Sequence, residues 1–312
     1  MTGPSTDTRP SSESAPEWFR QAVSAPHEER VIDVEGCPIR FLCWGKRGNP
    51  GLVLVHGGAA HAHWWSFLAP QLSKHYRVAA PDLSGHGDSG RRDAYPREVW
   101  AREVMAVAAE AGFSGAPVLI GHSLGGLVSI VAGALYGERL AGAIIVDSPV
   151  RKPDPESEEG SRGRMFRNPK TYSSVDDAIA HFHLVPPQPC ANDFILRHVA
   201  FHSLKRTDDG WTWKFDPRVF LKVSPKLMNE YLRETRCRVG LLRGELSDLV
   251  PPQIGEYMYE LLDRNAAVVE IPQAHHHLVL DQPLAFLAAV RALLSDWEHS
   301  VPRPRPARPL AV

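Results

Sequence analysis

Gly121-His122-Ser123-Leu124-Gly125 is the one place where this sequence states a chemistry on its own. It follows the apolar run Val118-Leu119-Ile120 and precedes Leu127-Val128-Ser129-Ile130-Val131-Ala132. A short β-rich run, a glycine-flanked turn and a helix-compatible apolar stretch form the context that gives G-x-S-x-G its meaning. Such a turn forces the serine to a positive φ, and glycines two residues either side remove Cβ atoms that would clash in the bend. Ser123 Oγ is then expected at the carboxyl edge of a sheet, with the Leu124 N–H pointing toward an acyl oxygen at the mouth of a new helix. An unassisted hydroxyl is a poor nucleophile near neutral pH, so a base, an acid and a second oxyanion donor must come from elsewhere.

Three histidines stand together in Ala274-His275-His276-His277-Leu278. Adjacent side chains in an extended or turning segment point different ways, so only one of the three could meet Ser123. Contiguous histidines lack the spread of a three-ligand metal site, and neither a metal nor another cofactor is expected.

The elements that must position these residues alternate. Arg30–Val34 and Ile39–Trp44 read as an antiparallel pair joined at Glu35-Gly36. Gly51–Val55 is a buried strand ending at His56-Gly57-Gly58, His61–Leu72 reads as a helix, and Tyr76–Ala80 as the next strand. That strand runs into Pro81-Asp82-Leu83-Ser84-Gly85-His86-Gly87-Asp88-Ser89, a glycine-punctuated loop, before the helix Glu98–Glu110. After the serine's strand and helix, Leu140–Val146 is a further strand ending at Asp147-Ser148-Pro149. Val239–Gly244, Pro251–Leu262, Ala267–Ile271 and Pro283–Trp297 continue as strand, helix, strand and helix, the pattern of a mostly parallel sheet.

Between these halves the rhythm breaks. Arg151–Lys170 is charged and broken by Pro and Gly; helices are expected at Val175–Phe182 and Asp193–Ser203, and Trp211, Trp213 and Phe215 form an aromatic cluster with Phe182. An insertion of this size reads as a lid over the carboxyl edge of the sheet. The expected division is a flexible arm over 1–26, a core over 27–149 and 236–299, a lid over 150–235 and a disordered Pro/Arg tail over 300–312. Basic residues of the lid (Arg162, Arg164, Arg167, Lys170, Arg197, Lys205) read as a solvated face.

The 312 residues carry a formal net charge of -1, which argues against nucleic acid or an anionic membrane as partner. No apolar run approaches the ~20 residues that span a bilayer, and the N-terminus has no signal-peptide pattern. Cys37, Cys43, Cys190 and Cys237 lack C-x-x-C spacing, which suits reduced cysteines in a cytoplasmic protein.

From Val31 to Trp297 the chain resembles capped members of the α/β-hydrolase fold. The resemblance rests on His56-Gly57-Gly58, Pro81–Ser89, Gly121–Gly125, Arg243–Val250 and Ala274–Pro283, in that order. It implies an α/β fold with a mostly parallel eight-stranded sheet, helices on both faces and a helical cap after the sixth strand. The resemblance implies that Ser123 is the nucleophile. Counting back from Asp281-Gln282-Pro283 makes His276 the base, with His275 and His277 as alternatives. Asp248, past the seventh strand, is implied as the acid, with Asp147 at the alternative position and Glu245 as a loop carboxylate. The Gly58 and Leu124 N–H groups would form the oxyanion hole, while His56, Asp82, Asp88 and Ser89 would brace loops. Trp64, Trp65 and His122 are expected at the substrate pocket, where the two tryptophans can equally be core. The implied activity is cofactor-free hydrolysis of a small carboxylic ester. Carbon–carbon or amide bond hydrolysis and a hydrolase-fold receptor are the alternatives, and a homodimer is left open. An aspartate-nucleophile dehalogenase or epoxide hydrolase is disfavoured by Ser123.

Overall fold

The computed structural model describes residues 15–153, 169–221 and 226–301. Its first half is a sheet built from apolar runs. β1 (Glu28–Val34) and β2 (Cys37–Trp44) pair antiparallel around Glu35 and Gly36, both at positive φ. β3 (Gly51–Val55), β4 (Arg77–Pro81), β5 (Val118–His122) and β6 (Gly142–Val146) are buried along their whole length. Strand side chains alternate, so apolar residues at every position mean that both faces are covered. In β3, Leu52 and Leu54 join one core cluster, and Val53 and Val55 join the other.

Helices supply the two covers. α1 (Glu17–Val23) and α2 (Ala69–Leu72) pack with the Leu52 cluster, where Phe19 sits 5.9 Å from Phe67. α3 (Arg97–Glu110) and α4 (Leu124–Tyr136) pack with the Val53 cluster. The single helix expected over His61–Leu72 is instead a turn at Ala62–Trp64 followed by the short α2. Pro70 explains the break, since its ring excludes the preceding helical turn and it has no N–H to donate. The expected loose arm is docked where it is described: Phe19 is 2% exposed.

The chain between β6 and the next sheet strand carries α5 (Val175–Ala180), α6 (Asp193–His202), a hairpin of β7 (Leu204–Thr207) and β8 (Gly210–Trp213), a turn at Pro217–Phe220 and α7 (Met228–Glu234). The side chain of Ser174 caps α5 by accepting from the Asp177 N–H at 3.1 Å. The hairpin is missing from the sequence reading. α7, expected in the lid, places Tyr231 and Leu232 in the Val53 cluster beside α4, so its packing belongs to the sheet. The expected charged stretch, including Arg162, Arg164 and Arg167, falls largely on residues 154–168, and the Pro/Arg tail on 302–312. Both, like residues 1–14, lie outside the described residues.

The sheet resumes with β9 (Arg238–Gly244), α8 (Pro252–Leu261), β10 (Ala267–Ile271), the single turn α9 (Leu278–Asp281) and α10 (Pro283–His299). Its strand order is β1-β2-β4-β3-β5-β6-β9-β10, parallel throughout from β4 onward. β5 therefore lies inside, with a partner on each side. Among the described residues no helix is long and apolar enough to cross a membrane.

Candidate active site

Ser123 sits between β5 and α4 at φ 54°, ψ −117°. A Cβ on Gly121 would overlap the Gly125 carbonyl, and one on Gly125 would overlap the Val55 carbonyl, so glycine is required at both positions. The Ser123 N–H donates to the Val146 carbonyl at 2.9 Å, tying the strained residue to β6.

Its hydroxyl meets His276 Nε2 at 3.0 Å, and His276 Nδ1 meets Asp147 Oδ1 at 2.8 Å. Of the three contiguous histidines, His276 alone reaches Ser123. His275 is turned aside, with its N–H on Asp281 Oδ2 at 2.8 Å and its ring 3.5 Å from the same oxygen. The His277 N–H donates to Gln188 Oε1 at 2.8 Å, and Gln188 Nε2 donates to Asp281 Oδ2 at 2.8 Å. This lattice fixes the loop that presents His276. Burial pushes the Asp281 carboxyl above its ordinary value, against the donors that surround it.

The carboxylate that meets His276 is that of Asp147 and not that of Asp248, where the acid was expected. Asp248 is exposed on the loop after β9. Asp147 closes β6 at φ 45° and is 1% exposed. Its N–H donates to the Leu242 carbonyl, and its carboxylate takes Gly244 N–H at 2.8 Å and Ser247 Oγ–H at 2.6 Å besides His276. Because β6 and β9 are adjacent, a carboxylate at the end of β6 occupies the place that the β9 loop would otherwise fill. Ser247, one residue before Asp248, turns inward and donates to it. The sequence signal was Asp147-Ser148-Pro149 directly after a buried strand. Glu245 is a loop carboxylate as expected, accepting from the Gln273 N–H at 2.8 Å.

The loop after β3 carries Gly57 and Gly58 next to Ser123. A Cβ on Gly57 would lie 3.4 Å from Ser123 Cβ. The Gly57 carbonyl accepts from His56 Nδ1–H at 2.7 Å and from the Ala60 N–H at 3.3 Å. Carbonyl and N–H point oppositely across a trans peptide, so these bonds also orient the Gly58 N–H. His56 Nε2 accepts from the Leu83 N–H at 3.0 Å, and burial keeps the ring neutral by lowering its pKa. Asp82 holds the neighbouring loop, taking the Ala62 N–H at 2.6 Å, the Asp88 N–H at 2.9 Å and the Arg40 guanidinium at 3.2 Å.

Two expected pocket residues lie elsewhere. Trp65 is core, 1% exposed and 6.1 Å from Phe286. His122 lies beneath His276, 2% exposed, and its Nε2–H donates to the His276 carbonyl at 2.9 Å. Burial, reinforced by His276, pushes its pKa down to about 3. Trp64 stays beside the histidine loop, 5.5 Å from the His277 ring. The aromatics of the inserted segment pack mainly on one another: Trp213 lies 5.8 Å from Phe182 and 5.6 Å from Tyr172. Phe220, which the sequence did not single out, reaches the Gly57-Gly58 loop, with Cε1 2.9 Å from where a Gly58 Cβ would stand.

A second histidine–serine contact, His61 Nε2 to Ser203 Oγ at 2.9 Å, lacks these features. Ser203 caps the end of α6 and donates to the Val199 carbonyl at 2.7 Å, and among the described residues His61 Nδ1 has no hydrogen-bond partner and no acid orients that ring.

Residues 52–290 match the profile of the alpha/beta hydrolase family. The chain is similar to Esterase Rv0045c of Mycobacterium tuberculosis, 25% identical over 87% of this chain and 91% of that protein. It is also similar to the pimeloyl-[acyl-carrier protein] methyl ester esterase of Edwardsiella ictaluri, 37% identical over 78% of this chain and 92% of the relative. Among solved structures, E-2-(acetamidomethylene)succinate hydrolase superposes with a TM-score of 0.75 at 21% identity, over 86% of this chain and all of that one.

Proposed function

The chain belongs to the alpha/beta hydrolase family and is a hydrolase, and on that premise we propose that it cleaves a small carboxylic ester through Ser123, His276 and Asp147. The observation that carries the reading is the unbroken path from Ser123 Oγ to His276 at 3.0 Å and on to Asp147 at 2.8 Å, behind a serine at φ 54°. With Nδ1–H given to Asp147, His276 presents a bare Nε2 that can take the Ser123 proton as Oγ attacks the ester carbonyl. The carbonyl π pair moves onto oxygen, which the N–H groups of Gly58 and Leu124 receive. Leu124 is the first residue of α4, so its N–H is among those that the helix leaves without an internal partner. Collapse expels the alkoxide, which collects the proton from His276. Water, deprotonated by the same ring, then releases the acid from the acyl-enzyme.

The relative from E. ictaluri is named for a methyl ester, and this supports an ester with a small alcohol. All four cysteines are free, which supports a reducing, cytoplasmic setting.

The test is a fluorophosphonate probe read by intact mass, beside turnover of a p-nitrophenyl ester series. One adduct on the wild type, none on Ser123→Ala, and repeated turnover are expected. An unlabelled wild type would remove the assembled triad. Labelling with a single turnover would favour a receptor-like role on the same fold.

A further inference from the structure

We propose that His122, His276 and His277 form a site for a divalent transition cation of the zinc class, and that occupation of this site switches the serine off. Candidate ligand nitrogens of the three rings lie within 4.8 Å of one another, and all three residues are buried. The pair that is contiguous in sequence is completed by a histidine from the turn at Ser123, which supplies the spread that three neighbouring residues lack.

Two of the rings are already buttressed as metal-ligating histidines are. Such a ring gives its far N–H to a carboxylate or carbonyl and turns a bare nitrogen inward. His276 gives Nδ1–H to Asp147 at 2.8 Å, leaving Nε2, and His122 gives Nε2–H to the His276 carbonyl at 2.9 Å, leaving Nδ1. The third ring is an anomaly without this role. His277 is 5% exposed, yet among the described residues neither of its ring nitrogens makes a well-formed hydrogen bond, and the Val185 and Pro186 carbonyls near it offer it weak acceptors. A buried imidazole left this way costs stability unless a ligand completes it.

Ring orientation allows the same reading. An imidazole lone pair lies in the ring plane, so a shared cation must lie near every plane. The three planes are inclined at 37°, 62° and 53° to one another, and inclined planes can meet at a point. Another trio, His63, His198 and His202, fails this condition. The His63 and His202 rings are stacked 3.8 Å apart at 14°, and the Arg40 guanidinium stands 3.5 Å from His63 Nε2. Zn–N bonds are about 2.0–2.1 Å, which puts tetrahedral ligand nitrogens about 3.3 Å apart. The rings must therefore close by as much as about 1.5 Å, with Ser123 Oγ or water as the fourth ligand. Imidazole ligands select zinc or copper over magnesium or calcium, which prefer oxygen. With His276 Nε2 on the cation, nothing accepts the Ser123 proton.

The inhibitory consequence, but not the site, rests on the reading of His276 as the base. Zinc is titrated against p-nitrophenyl ester hydrolysis, with magnesium in parallel, and uptake by Ser123→Ala is measured by equilibrium dialysis. Activity is expected to fall with zinc and return with EDTA, magnesium is expected to be inert, and Ser123→Ala is expected to take up one zinc ion. His277→Phe should keep its hydrolysis and need at least tenfold more zinc for half inhibition. An unchanged zinc dependence in that variant, or uptake abolished by His198→Ala, would overturn the site. Should His277→Phe fail to fold, histidine ring ¹⁵N shifts in Ser123→Ala decide: zinc must move those of His122, His276 and His277, and a shift confined to other rings refutes the proposal. Dialysis needs no turnover, so zinc uptake by an inactive wild type removes the hydrolase reading alone, and turnover without uptake removes the site alone.

Discussion

Replacing Asp147 by asparagine tests the reading where sequence and structure part. The carboxylate accepts three hydrogen bonds, from His276 and Ser247 on Oδ1 and from the Gly244 N–H on Oδ2. Asparagine has one acceptor oxygen and one NH₂ group. With the oxygen toward Gly244, the NH₂ faces His276 Nδ1 and forces the proton to Nε2, the wrong tautomer for accepting from Ser123. With the oxygen toward His276, the NH₂ opposes the Gly244 N–H at 2.8 Å, leaving a buried donor unmet at about 1–3 kcal/mol. Either way the charge that stabilises the imidazolium is gone. Loss of this function in a serine triad elsewhere costs about 10⁴ in kcat, or about 5.4 kcal/mol of barrier. Asp147→Asn should therefore lose three to four orders of magnitude on a p-nitrophenyl ester, with a thermal melt showing that the protein is still folded. Asp248→Asn, on an exposed loop, should stay within about twofold. A folded, active Asp147→Asn beside an inactive Asp248→Asn would refute the assignment.

Acid should destabilise the protein well above the range in which carboxylates titrate. Burial lowers the pKa of His56, His61, His63, His86, His122 and His277, so each binds a proton more readily unfolded than folded. Stability from these rings is complete above the unfolded value of 6.5 and falls as pH drops below it. For His122, with a folded value of about 3, the loss at pH 5 is about 2 kcal/mol, and a Tm that stays constant from pH 7.5 to 5 would contradict this. Gly121→Ala should fail to give folded protein, because its Cβ would overlap the Gly125 carbonyl and lie 2.5 Å from Ser129 Oγ; a soluble variant with wild-type Tm would show that the turn tolerates a side chain. Arg40→Met should cost about 3–5 kcal/mol in urea unfolding, since it leaves Asp82 buried without its cation.

The elements were legible where a local pattern has one physical solution. Uninterrupted apolar runs such as Leu52–Val55 and Ala143–Val146 fit only doubly covered strands, and the glycines around Ser123 fit only a bend with no room for Cβ. What escaped depends on partners distant in sequence. Asp147 and Asp248 both follow β-strands, and the choice between them needs the adjacency of β6 and β9 and the inward turn of Ser247. His122 looks like a pocket residue until the His276 carbonyl is placed above it. Phe220 has no motif; it matters because the inserted segment returns to Gly58. The β7–β8 hairpin has only four residues per strand, too few to be distinguished from loop.

Because β5 is paired on both sides, the backbone amides that lead to Ser123 belong to the last part of the molecule to exchange with solvent. A serine on a surface loop could lose its reactive geometry by local opening long before the fold is lost. Here the positive-φ turn cannot relax without breaking a central strand. Heat inactivation should coincide with global unfolding, and deuterium uptake at Val118–His122 should track the same free energy. Any activity that fades earlier would have to fade through the histidine loop, held by Gln188 and Asp281, and not through the nucleophile.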